Sequence, residues 1–453
     1  MNKTPLKEHV EIIRQAFGYI DQFKGETFVI KISSELIASP FIPILIKDLV
    51  LLHRMGIRIV LVPGARSRID EVLATYGIEC KRVAGVRISP PESIPFIKMA
   101  AFDVSNKIMT VLAECGANAV IGNWVKARSI GVRNGIDFQS SGIVERLQSD
   151  IVENVLADGL IPIFPNIGWS AKGRPYNLSS NELAYSISVS LKAAKLFFLT
   201  NGGRIRAQNY NIPEGISIAD DGTITQLTVT NAALFLERNG NRKQDPCIEL
   251  INFAYRACTT GVKRVHIIDG AAEGMILKEI FSNRGPGTMV YANQHENIRQ
   301  MTSADIPEVL RLMQPAIEES ILVTRTAADL EEKVDDYCVY EVDGTIHGCG
   351  ALHCYNNRQG EIAAIVVDET YESLGIGEKI ISYLVDRAIT LRLKDVFVLT
   401  TQTSDWFAQL GFTEATVTDL PPERKKTYNQ KRKSLILRRR LTRRQSKVAV
   451  GVE

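Results

Sequence analysis

Two closely spaced glycines in the last quarter of the chain carry the strongest chemical signal in the sequence. Gly375 and Gly377 follow a strand-like apolar run, Glu361 to Val367, and precede an amphipathic stretch typical of a helix. Glycines at such a position let backbone N–H groups turn toward one anion, and the start of a helix adds free N–H donors and a partial positive charge. The pattern predicts a loop that binds a pyrophosphate. The motif alone leaves an ordinary glycine turn open as the alternative.

The loop resembles the acetyl-CoA loop of the GNAT acetyltransferases. That family has Gln or Arg three positions before the first glycine, where this sequence has Glu372, so only backbone groups would hold the phosphates. Further segments between Met301 and Arg440 look like the acetyltransferase domain of bacterial N-acetylglutamate synthases. The segments that carry this resemblance occur in the same order as in that family and span residues 360–363, 397–401, 405–412, 420–428 and 432–434.

The resemblance implies transfer of an acetyl group from acetyl-CoA to the amine of L-glutamate. Glu361 would take the ammonium proton directly or through water, and Thr400 would assist proton transfer. Without the resemblance, Glu361 reads as a solvated glutamate at a strand end and Thr400 as a threonine that favours a strand. The cofactor-binding residues implied by the resemblance are Ile365, Val366, Val367, Glu372, Gly375, Ile376 and Gly377.

Glutamate carries two carboxylates, so its pocket needs cations with fork geometry or hydroxyl donors. The resemblance implies a set of substrate-binding side chains and main-chain groups. They are Leu322, Arg325, Ala364, Arg424, Arg432 and Ser434. The family carries a basic residue where this sequence has Thr324, and Arg325 is expected to replace it. Arg325 as a plain surface charge is the alternative.

The first 290 residues alternate short apolar runs with helical stretches, which predicts an α/β fold with a doubly wound, mostly parallel sheet. The predicted strands are Thr27 to Ile32, Ile57 to Val62, Ala119 to Ile121, Ile161 to Phe164, Leu196 to Leu199 and Val265 to Ile268. The predicted helices include Glu8 to Ile20, Pro43 to Met55, Ile94 to Cys115 and Glu182 to Lys195. Apolar residues at helical spacing give the first of these helices a face that needs a partner.

The alternation of predicted strands and helices ends at the turn-rich stretch from Gly285 to Arg299. After this stretch, predicted strands dominate up to the glycine loop. Ser303 is expected to cap a helix, and a hairpin with an Asp343-Gly344 turn follows. This half is predicted to be an α+β domain. The predicted domains are an oligomerisation helix (1–25), a kinase-like domain (26–292), a GNAT domain (293–440) and a disordered basic tail (441–453).

The first half resembles the amino-acid kinase fold of N-acetylglutamate kinase through the segments 28–31, 61–64, 177–184 and 266–270. Those kinases have paired glycines after the first strand, where backbone must approach phosphate closely. Ser33 and Ser34 occupy that place here, and their Cβ atoms obstruct such an approach. Lys31 remains, but an isolated lysine does not make a phosphotransfer site. We therefore expect a domain without kinase activity.

A kinase-like domain without phosphotransfer needs another role, and the resemblance implies arginine binding beside the N-terminal helix. The segment from Gly274 to Thr288 is similar to the wall of that site in arginine-sensitive kinases and bacterial synthases. The residues implied are Tyr19, Glu279, Gly285 and Gly287, with Glu279 as the guanidinium partner. Taken singly, Glu279 reads as a helix-surface charge and the glycines as turn formers.

Composition excludes several classes of protein. The chain has 453 residues, 45% hydrophobic and 23% charged, which is typical of globular domains and not of disordered or collagen-like chains. No apolar run approaches the ~20 residues of a membrane span. The seven cysteines form no C-x-x-C pair, which favours reduced thiols and a cytoplasmic location. His347, Cys349, His353 and Cys354 would not converge on an extended strand, so we expect no metal site.

Charge is unevenly distributed. Twelve of the 54 basic residues and none of the 51 acidic residues lie between Arg424 and Lys447, which leaves 42 basic against 51 acidic residues elsewhere. The basic run lacks the interleaved aromatic residues of a nucleic-acid stacking platform, so neither a nucleic acid nor a membrane is the expected partner. We therefore expect the protein to be an arginine-regulated glutamate acetyltransferase. The resemblance also implies a homo-oligomer, in particular a hexamer. The alternatives are a kinase with an accessory acetyltransferase-like domain and a non-catalytic arginine sensor.

Overall fold

The computed structural model describes residues 17–213, 216–219, 221–242, 244–281, 285–292, 296–342, 345–368, 375–429 and 432–441. The chain divides into two compact units, Met1–Asn293 and Gln294–Glu453. Within the described ranges, no helix has both the length and the apolar character to cross a membrane. Four predicted features lie outside these ranges: residues 8–16 of the early helix, the Asp343-Gly344 turn, Glu372 and the tail beyond 441.

The first unit alternates strands and helices. Its strands are β1 (Thr27–Ile32), β2 (Arg58–Pro63), β3 (Arg82–Val83), β4 (Val86–Arg87), β5 (Ala119–Ile121), β6 (Val125–Ser129), β7 (Val132–Arg133), β8 (Ile136–Asp137), β9 (Gly142–Leu147), β10 (Ile161–Ile163), β11 (Ile167–Trp169), β12 (Pro175–Asn177), β13 (Lys195–Thr200), β14 (Ser217–Ile218), β15 (Ile224–Thr228), β16 (Arg264–Asp269) and β17 (Thr288–Tyr291). Its helices are α1 (residues 17–23), α2 (Ser34–Ile37), α3 (Ile42–Arg54), α4 (Arg66–Thr75), α5 (Ile94–Glu114), α6 (Ser149–Ala157), α7 (Ser180–Ser190), α8 (Val229–Arg238), α9 (Pro246–Thr259) and α10 (Met275–Phe281).

A large twisted sheet forms the centre of this unit, with the strand order β14-β15-β17-β16-β13-β1-β2-β10-β5 among the described residues. The strands from β16 to β5 pair in parallel, and β17 adds an antiparallel neighbour to β16. Alternate residues of the central strands feed two separate cores: Phe28 and Ile30 face the core formed with α3 and α5, whereas Val29 faces the one formed with α7 and α9. Helices cover both faces, as expected for a doubly wound sheet.

The second unit has strands β18 (Glu296–Gln300), β19 (Tyr337–Val342), β20 (Thr345–Cys354), β21 (Gln359–Val367), β22 (Asp395–Thr400), β23 (Thr413–Ala415) and β24 (Leu435–Arg440). Its helices are α11 (Ile306–Glu318), α12 (Ala327–Glu332), α13 (Ile376–Thr390), α14 (Ser404–Gln409) and α15 (Pro422–Lys426). The strands form one sheet in the order β18-β19-β20-β21-β22-β24-β23, in which only β21 and β22 pair in parallel. Helix α13 packs on one face and α11 on the other.

The predicted fold class is confirmed, and most predicted strands agree with the structure to within a residue or two. The helix predicted to end at Lys195 is wrong, because α7 ends at Ser190 and Lys195 opens strand β13. The chain leaves that helix through Lys192, which has a left-handed φ of 48°. The predicted cap at Ser303 is also displaced: Thr302 and Asp305 form a capping box around a short 3-10 turn, and the α-helix begins at Ile306. An additional sheet of order β12-β11-β6-β9 was not predicted.

Candidate active site and candidate effector site

The two parallel strands of the second unit separate, and Glu361 lies at the point of separation. Strands β21 and β22 pair only over Gln359 to Glu361, opposite Asp395 to Phe397. Beyond Glu361, β21 continues to Val367 and β22 to Thr400 without pairing to each other. The two strands therefore diverge beyond Glu361, and the backbone of Ile362 to Val367 makes no ladder bonds to β22; the gap between the strands is called the cleft below.

Glu361 is buried, and its carboxylate already has strong partners. The guanidinium of Arg424 donates from Nε to Oε2 at 2.8 Å and from Nη2 to Oε1 at 3.1 Å. The Tyr355 hydroxyl donates to Oε2 at 2.8 Å. A glutamate side chain with only 8% of its surface exposed is not the solvated strand-end residue that the sequence alone suggested.

Tyr355 was not singled out from the sequence. It follows the last residue of β20, and its backbone N–H donates to Gln359 at 2.9 Å, which closes the turn before β21. Burial and then the neighbouring Glu361 carboxylate raise the pKa of Tyr355 above its usual value, so its hydroxyl remains a donor at neutral pH. The signal that could have found it is the short hairpin turn, which brings Tyr355 back beside the start of β21.

The cofactor residues predicted on β21 and at the start of α13 lie near one another. Ala364 has a φ of 55°, and the pairing of β20 with β21 shifts register there, so a bulge bends β21 next to the open cleft. Gly375 has a φ of 68° and caps α13. A Cβ at Gly377 would lie 3.1 Å from the Trp406 ring and 3.9 Å from Val367, which leaves little room for a side chain. The closeness of Gly377 and Val367 shows that the start of α13 lies beside the end of β21.

Thr400 ends the other arm of the cleft. Its hydroxyl lies 2.8 Å from that of Thr403 and accepts the Thr403 N–H at 3.0 Å. These contacts close a local turn before α14, a structural role that the sequence reading of Thr400 did not include.

The predicted substrate residues fall into two contact groups. Arg424 contacts Glu361, as described above. The Arg432 guanidinium donates to the carbonyl oxygens of Ser320 and Ile321, next to Leu322. Leu322 and Ala364 pack in the same apolar cluster. Arg432 is therefore linked to the Leu322 loop and not to Arg424.

Arg325 and Ser434 occupy separate places in this unit. Arg325 lies beside Tyr337, whose pKa burial raises to about 12 in spite of the guanidinium. Arg325 is thus not simply a surface charge. The Ser434 carbonyl oxygen accepts the Tyr428 hydroxyl at 2.9 Å, just before β24.

In the first unit, Glu279 of α10 is a buried carboxylate and not a helix-surface charge. His266 Nδ1 lies 2.7 Å from its Oε1, and the Gly287 N–H donates to its Oε2 at 2.9 Å. A Cβ at Gly285 would collide with the same carboxylate, and one at Gly287 would lie 2.6 Å from the Ile267 carbonyl oxygen. The two predicted glycines are therefore required by the close approach of the chain to Glu279.

Two residues that sequence reasoning missed complete this cluster. Burial lowers the pKa of His266 to about 4, so the imidazole is neutral at pH 7 and donates through Nδ1–H. Lys195, at the start of β13, donates to the Tyr19 hydroxyl at 2.5 Å and lies over the Phe23 ring at 4.6 Å. Tyr19 also packs edge-on against Phe281 at 5.3 Å. The early helix and α10 thus meet at one buried polar cluster, the Glu279 cluster: Tyr19, Lys195, His266, Glu279, Gly285 and Gly287.

Where the related kinases have glycines of a phosphate loop, this chain has side chains that make local contacts. Ser33 caps the short helix α2 by accepting the Leu36 N–H at 3.2 Å, and Ser34 bonds to Glu35 at 2.9 Å. A Cβ at Gly64 would lie 3.1 Å from the backbone of Ile32 and Ser34. Burial lowers the pKa of Lys31 to about 8.

No group of three or more His, Cys, Asp and Glu side chains in the described ranges could hold a metal ion. Of the four residues weighed as ligands, His353 pairs through Nδ1 with Asp336 at 2.6 Å, and Cys349 lies buried against the Ala364 carbonyl. These contacts account for both side chains structurally.

Comparison with known proteins places both units. Residues 26–269 match the amino acid kinase family and residues 304–412 the GNAT acetyltransferase family. An amino-acid acetyltransferase of Pasteurella multocida (strain Pm70) is 33% identical over 438 residues, covering 95% of this chain and 97% of that one.

Solved structures give the same result. N-acetylglutamate synthase from Neisseria gonorrhoeae, complexed with coenzyme A and L-arginine, is 32% identical with a TM-score of 0.80 and covers 96% of this chain and 99% of its own. The synthase from that organism complexed with coenzyme A and N-acetyl-glutamate is 33% identical with a TM-score of 0.58 at the same coverage. The chain belongs to the amino-acid acetyltransferase family whose members join an amino acid kinase unit to a GNAT unit.

Proposed function

We propose that this chain transfers acetyl from acetyl-CoA to L-glutamate and so catalyses the first step of arginine biosynthesis, under feedback control by L-arginine. The observation that carries the proposal is the buried Glu361 at the head of the cleft between β21 and β22. The synthase of Neisseria gonorrhoeae was crystallised with coenzyme A, once with N-acetyl-glutamate and once with L-arginine. These ligands correspond to the two products of the proposed reaction and to its effector.

The reaction needs one proton acceptor and one stabilised oxyanion. Glu361 takes a proton from the substrate ammonium, the amine nitrogen bonds to the thioester carbon, and the C–S bond then breaks with its electron pair on sulfur. The nitrogen loses its second proton as it becomes an amide, and the departing CoA thiolate takes that proton up. Backbone N–H groups of Ile365 to Val367, on the unpaired side of β21, stabilise the oxyanion, and Gly375 to Gly377 hold the pyrophosphate. Thr400 assists proton transfer from the opposite arm.

Arginine side chains of the second unit bind the carboxylates of the substrate. Arg424 offers fork geometry next to Glu361. The second carboxylate is bound by Arg432 and Arg325, together with Ser434 and the main chain at Leu322 and Ala364. A dicarboxylate fits such a set better than a simple amine.

Arginine binds at the Glu279 cluster of the first unit. Glu279 is a carboxylate whose direct side-chain partner is a neutral imidazole, so its negative charge is available to a guanidinium. Backbone carbonyl groups near Gly285 accept further hydrogen bonds, and Tyr19 covers the site. The segment lies just before the change of unit along the chain, so a shift in it reaches the acetyltransferase unit through the intervening residues.

This unit does not transfer phosphate. Ser33 and Ser34 crowd the place where backbone must approach a phosphate, as their contacts with Leu36 and Glu35 indicate. ATP and N-acetyl-L-glutamate should give no ADP, which a coupled assay measures. ADP formed only when both are present would contradict this part of the proposal.

The remaining assignments concern organisation. We propose the domains 1–25, 26–292, 293–440 and 441–453, a cytoplasmic location, and a homo-oligomer, specifically a hexamer, in which the early helix packs on a neighbouring subunit. Phe17 on that helix is 63% exposed, which supports such a contact. Light scattering of the full chain tests the hexamer, and a monomer would contradict it.

One assay tests the proposed activity. CoA release from acetyl-CoA, followed by a thiol reagent, should depend on L-glutamate and produce N-acetyl-L-glutamate in equal amount. An amine without carboxylates should give little release. Acetyl-CoA turnover that does not respond to L-glutamate would refute the proposal.

A further inference from the structure

Arg424 cannot serve both of its expected partners at once. All three nitrogens of its guanidinium donate hydrogen bonds. Nε and Nη2 bind the two oxygens of Glu361 at 2.8 and 3.1 Å. Its Nη1 donates to the Thr427 hydroxyl at 3.2 Å and carbonyl oxygen at 3.3 Å. The fork that a substrate carboxylate needs is therefore occupied by the residue that must act as the base.

The same contacts occupy the atoms that must accept the substrate proton. Both oxygens of Glu361 accept N–H donors of Arg424, and Oε2 also accepts the Tyr355 hydroxyl. With 8% of its side chain exposed, Glu361 has little access to solvent through which to exchange these partners.

The other charged groups around Glu361 have partners of their own. His353, opposite Glu361 on β20, is paired with Asp336 at 2.6 Å. Asp395 on β22 accepts from Arg438 at 2.6 Å. Glu423 on α15 acts on Tyr355 by its charge and adds to the negative field. Arg424 is thus the cation in direct contact with the Glu361 carboxylate.

We propose that Arg424 is a latch that moves from Glu361 to the carboxylate of the incoming substrate, so that carboxylate binding itself frees the base. This inference rests on the proposed function and adds a source of selectivity to it. One cation faces two carboxylates, and the fork can bind only one of them in bidentate geometry. Tyr355 stays on Oε2 and keeps Glu361 in place while the cation leaves.

The latch makes selectivity depend on more than binding affinity. An amine that lacks the carboxylate leaves Arg424 bound to Glu361, so its ammonium meets a base that is still paired with a cation. An amino acid with the carboxylate removes the cation and meets a free base. Selection therefore acts on the proton transfer as well as on binding.

Removing the charge of Glu361 gives the sharpest test, because it should improve binding while it abolishes catalysis. Binding of N-acetyl-L-glutamate to the CoA-loaded full chain is measured by calorimetry for wild type and Glu361→Gln. If Arg424 is free in about one molecule in ten, the variant should bind about tenfold more tightly. Glu423→Gln removes a nearby charge without touching Arg424 and is the matched control. Equal CoA affinity in all three proteins verifies that the unit is folded.

The latch is overturned if Glu361→Gln binds N-acetyl-L-glutamate no more tightly than Glu423→Gln does. The proposed activity is tested separately, because it fails if CoA release by the wild type does not respond to L-glutamate.

Discussion

Among the residues that the structure describes, each unit contains one buried glutamate in a polar cluster, and the two clusters differ in the groups that bind the carboxylate. Glu361 in the GNAT unit is bound on both oxygens by the permanently charged Arg424. Glu279 in the kinase-like unit is bound by His266 and a backbone N–H. Burial lowers the pKa of His266 to about 4, so this partner carries no charge at pH 7.

The difference separates two uses of the same side chain. Burial alone would raise the pKa of Glu279, but the bonds from His266 and Gly287 and the charge of Lys195 lower it. The groups that bind this carboxylate directly are a neutral imidazole and a backbone N–H, so a cation can still bind it. Glu361 is bound directly by a cation, which must leave before the carboxylate can accept a proton. A carboxylate held by neutral partners fits an effector site, and one held by a removable cation fits a base.

The largest effect is expected at Glu361. Glu361→Gln should lower the turnover of acetyl transfer by about 10² to 10⁴, because the amide cannot accept the ammonium proton. Stopped CoA-release assays across pH measure it, with the exposed Glu414→Gln as control. Unchanged turnover across the pH range would remove Glu361 from the role of base.

Acid should weaken the Glu279 cluster through His266. The folded-state pKa of about 4 lies below the ordinary 6.5, so the folded state binds fewer protons, and its stability falls as pH decreases from 6.5 to 4. The loss attributable to His266 is about 3 kcal/mol. His266→Gln should flatten this slope.

Tryptophan fluorescence can follow this unit alone. Trp124 and Trp169 belong to the first unit and Trp406 to the second, so urea unfolding in a Trp406→Phe background reports the first. The quantity compared is the free energy of unfolding with and without His266. Equal slopes in both proteins would show that His266 does not titrate as described.

Arg432→Ala is expected to act on glutamate more than on acetyl-CoA. The substitution removes the bonds to the Ser320 and Ile321 carbonyls and a cation for the substrate, a loss of about 2 kcal/mol. The KM for glutamate should rise far more than that for acetyl-CoA, with the exposed Arg440→Ala as the control. Equal rises for both substrates would show that Arg432 supports the whole unit and not the glutamate pocket.

Tyr355→Phe should have the smallest effect. Loss of one hydrogen bond to Glu361 should lower kcat about tenfold, because the carboxylate loses the donor that holds Oε2 in place. Tyr383→Phe on α13 is the matched control. An equal loss of kcat in both variants would assign Tyr355 a packing role only.

The sequence predicted elements well where apolar runs are short and rich in β-branched residues. Strand β1 agrees residue for residue, because Thr27 to Ile32 is a short run of residues that favour strands, with clear boundaries. The end of α7 could not be predicted, since residues 191–194 continue a helical pattern and only tertiary contacts place Lys195 in the sheet.

The sites were harder to predict than the elements. Resemblance pointed to Glu361 and Arg424, but their 63-residue separation gave no sign that they bind each other. Lys195 opens an apolar strand and His266 interrupts one, so both could have been flagged as buried polar residues that need partners. Their contacts with Tyr19 and Glu279 join distant parts of the chain, and only the folded sheet brings them together.

The comparison of the two glutamates is tested most directly by an arginine titration of CoA release in wild type, Glu279→Gln and Glu361→Gln. L-Arginine should lower the rate of CoA release by the wild type. It should leave the rate of Glu279→Gln unchanged. Glu361→Gln should have lost its rate but still bind arginine by calorimetry. An arginine response in Glu279→Gln equal to that of wild type, or calorimetric binding of arginine only in competition with glutamate, would contradict the division of roles.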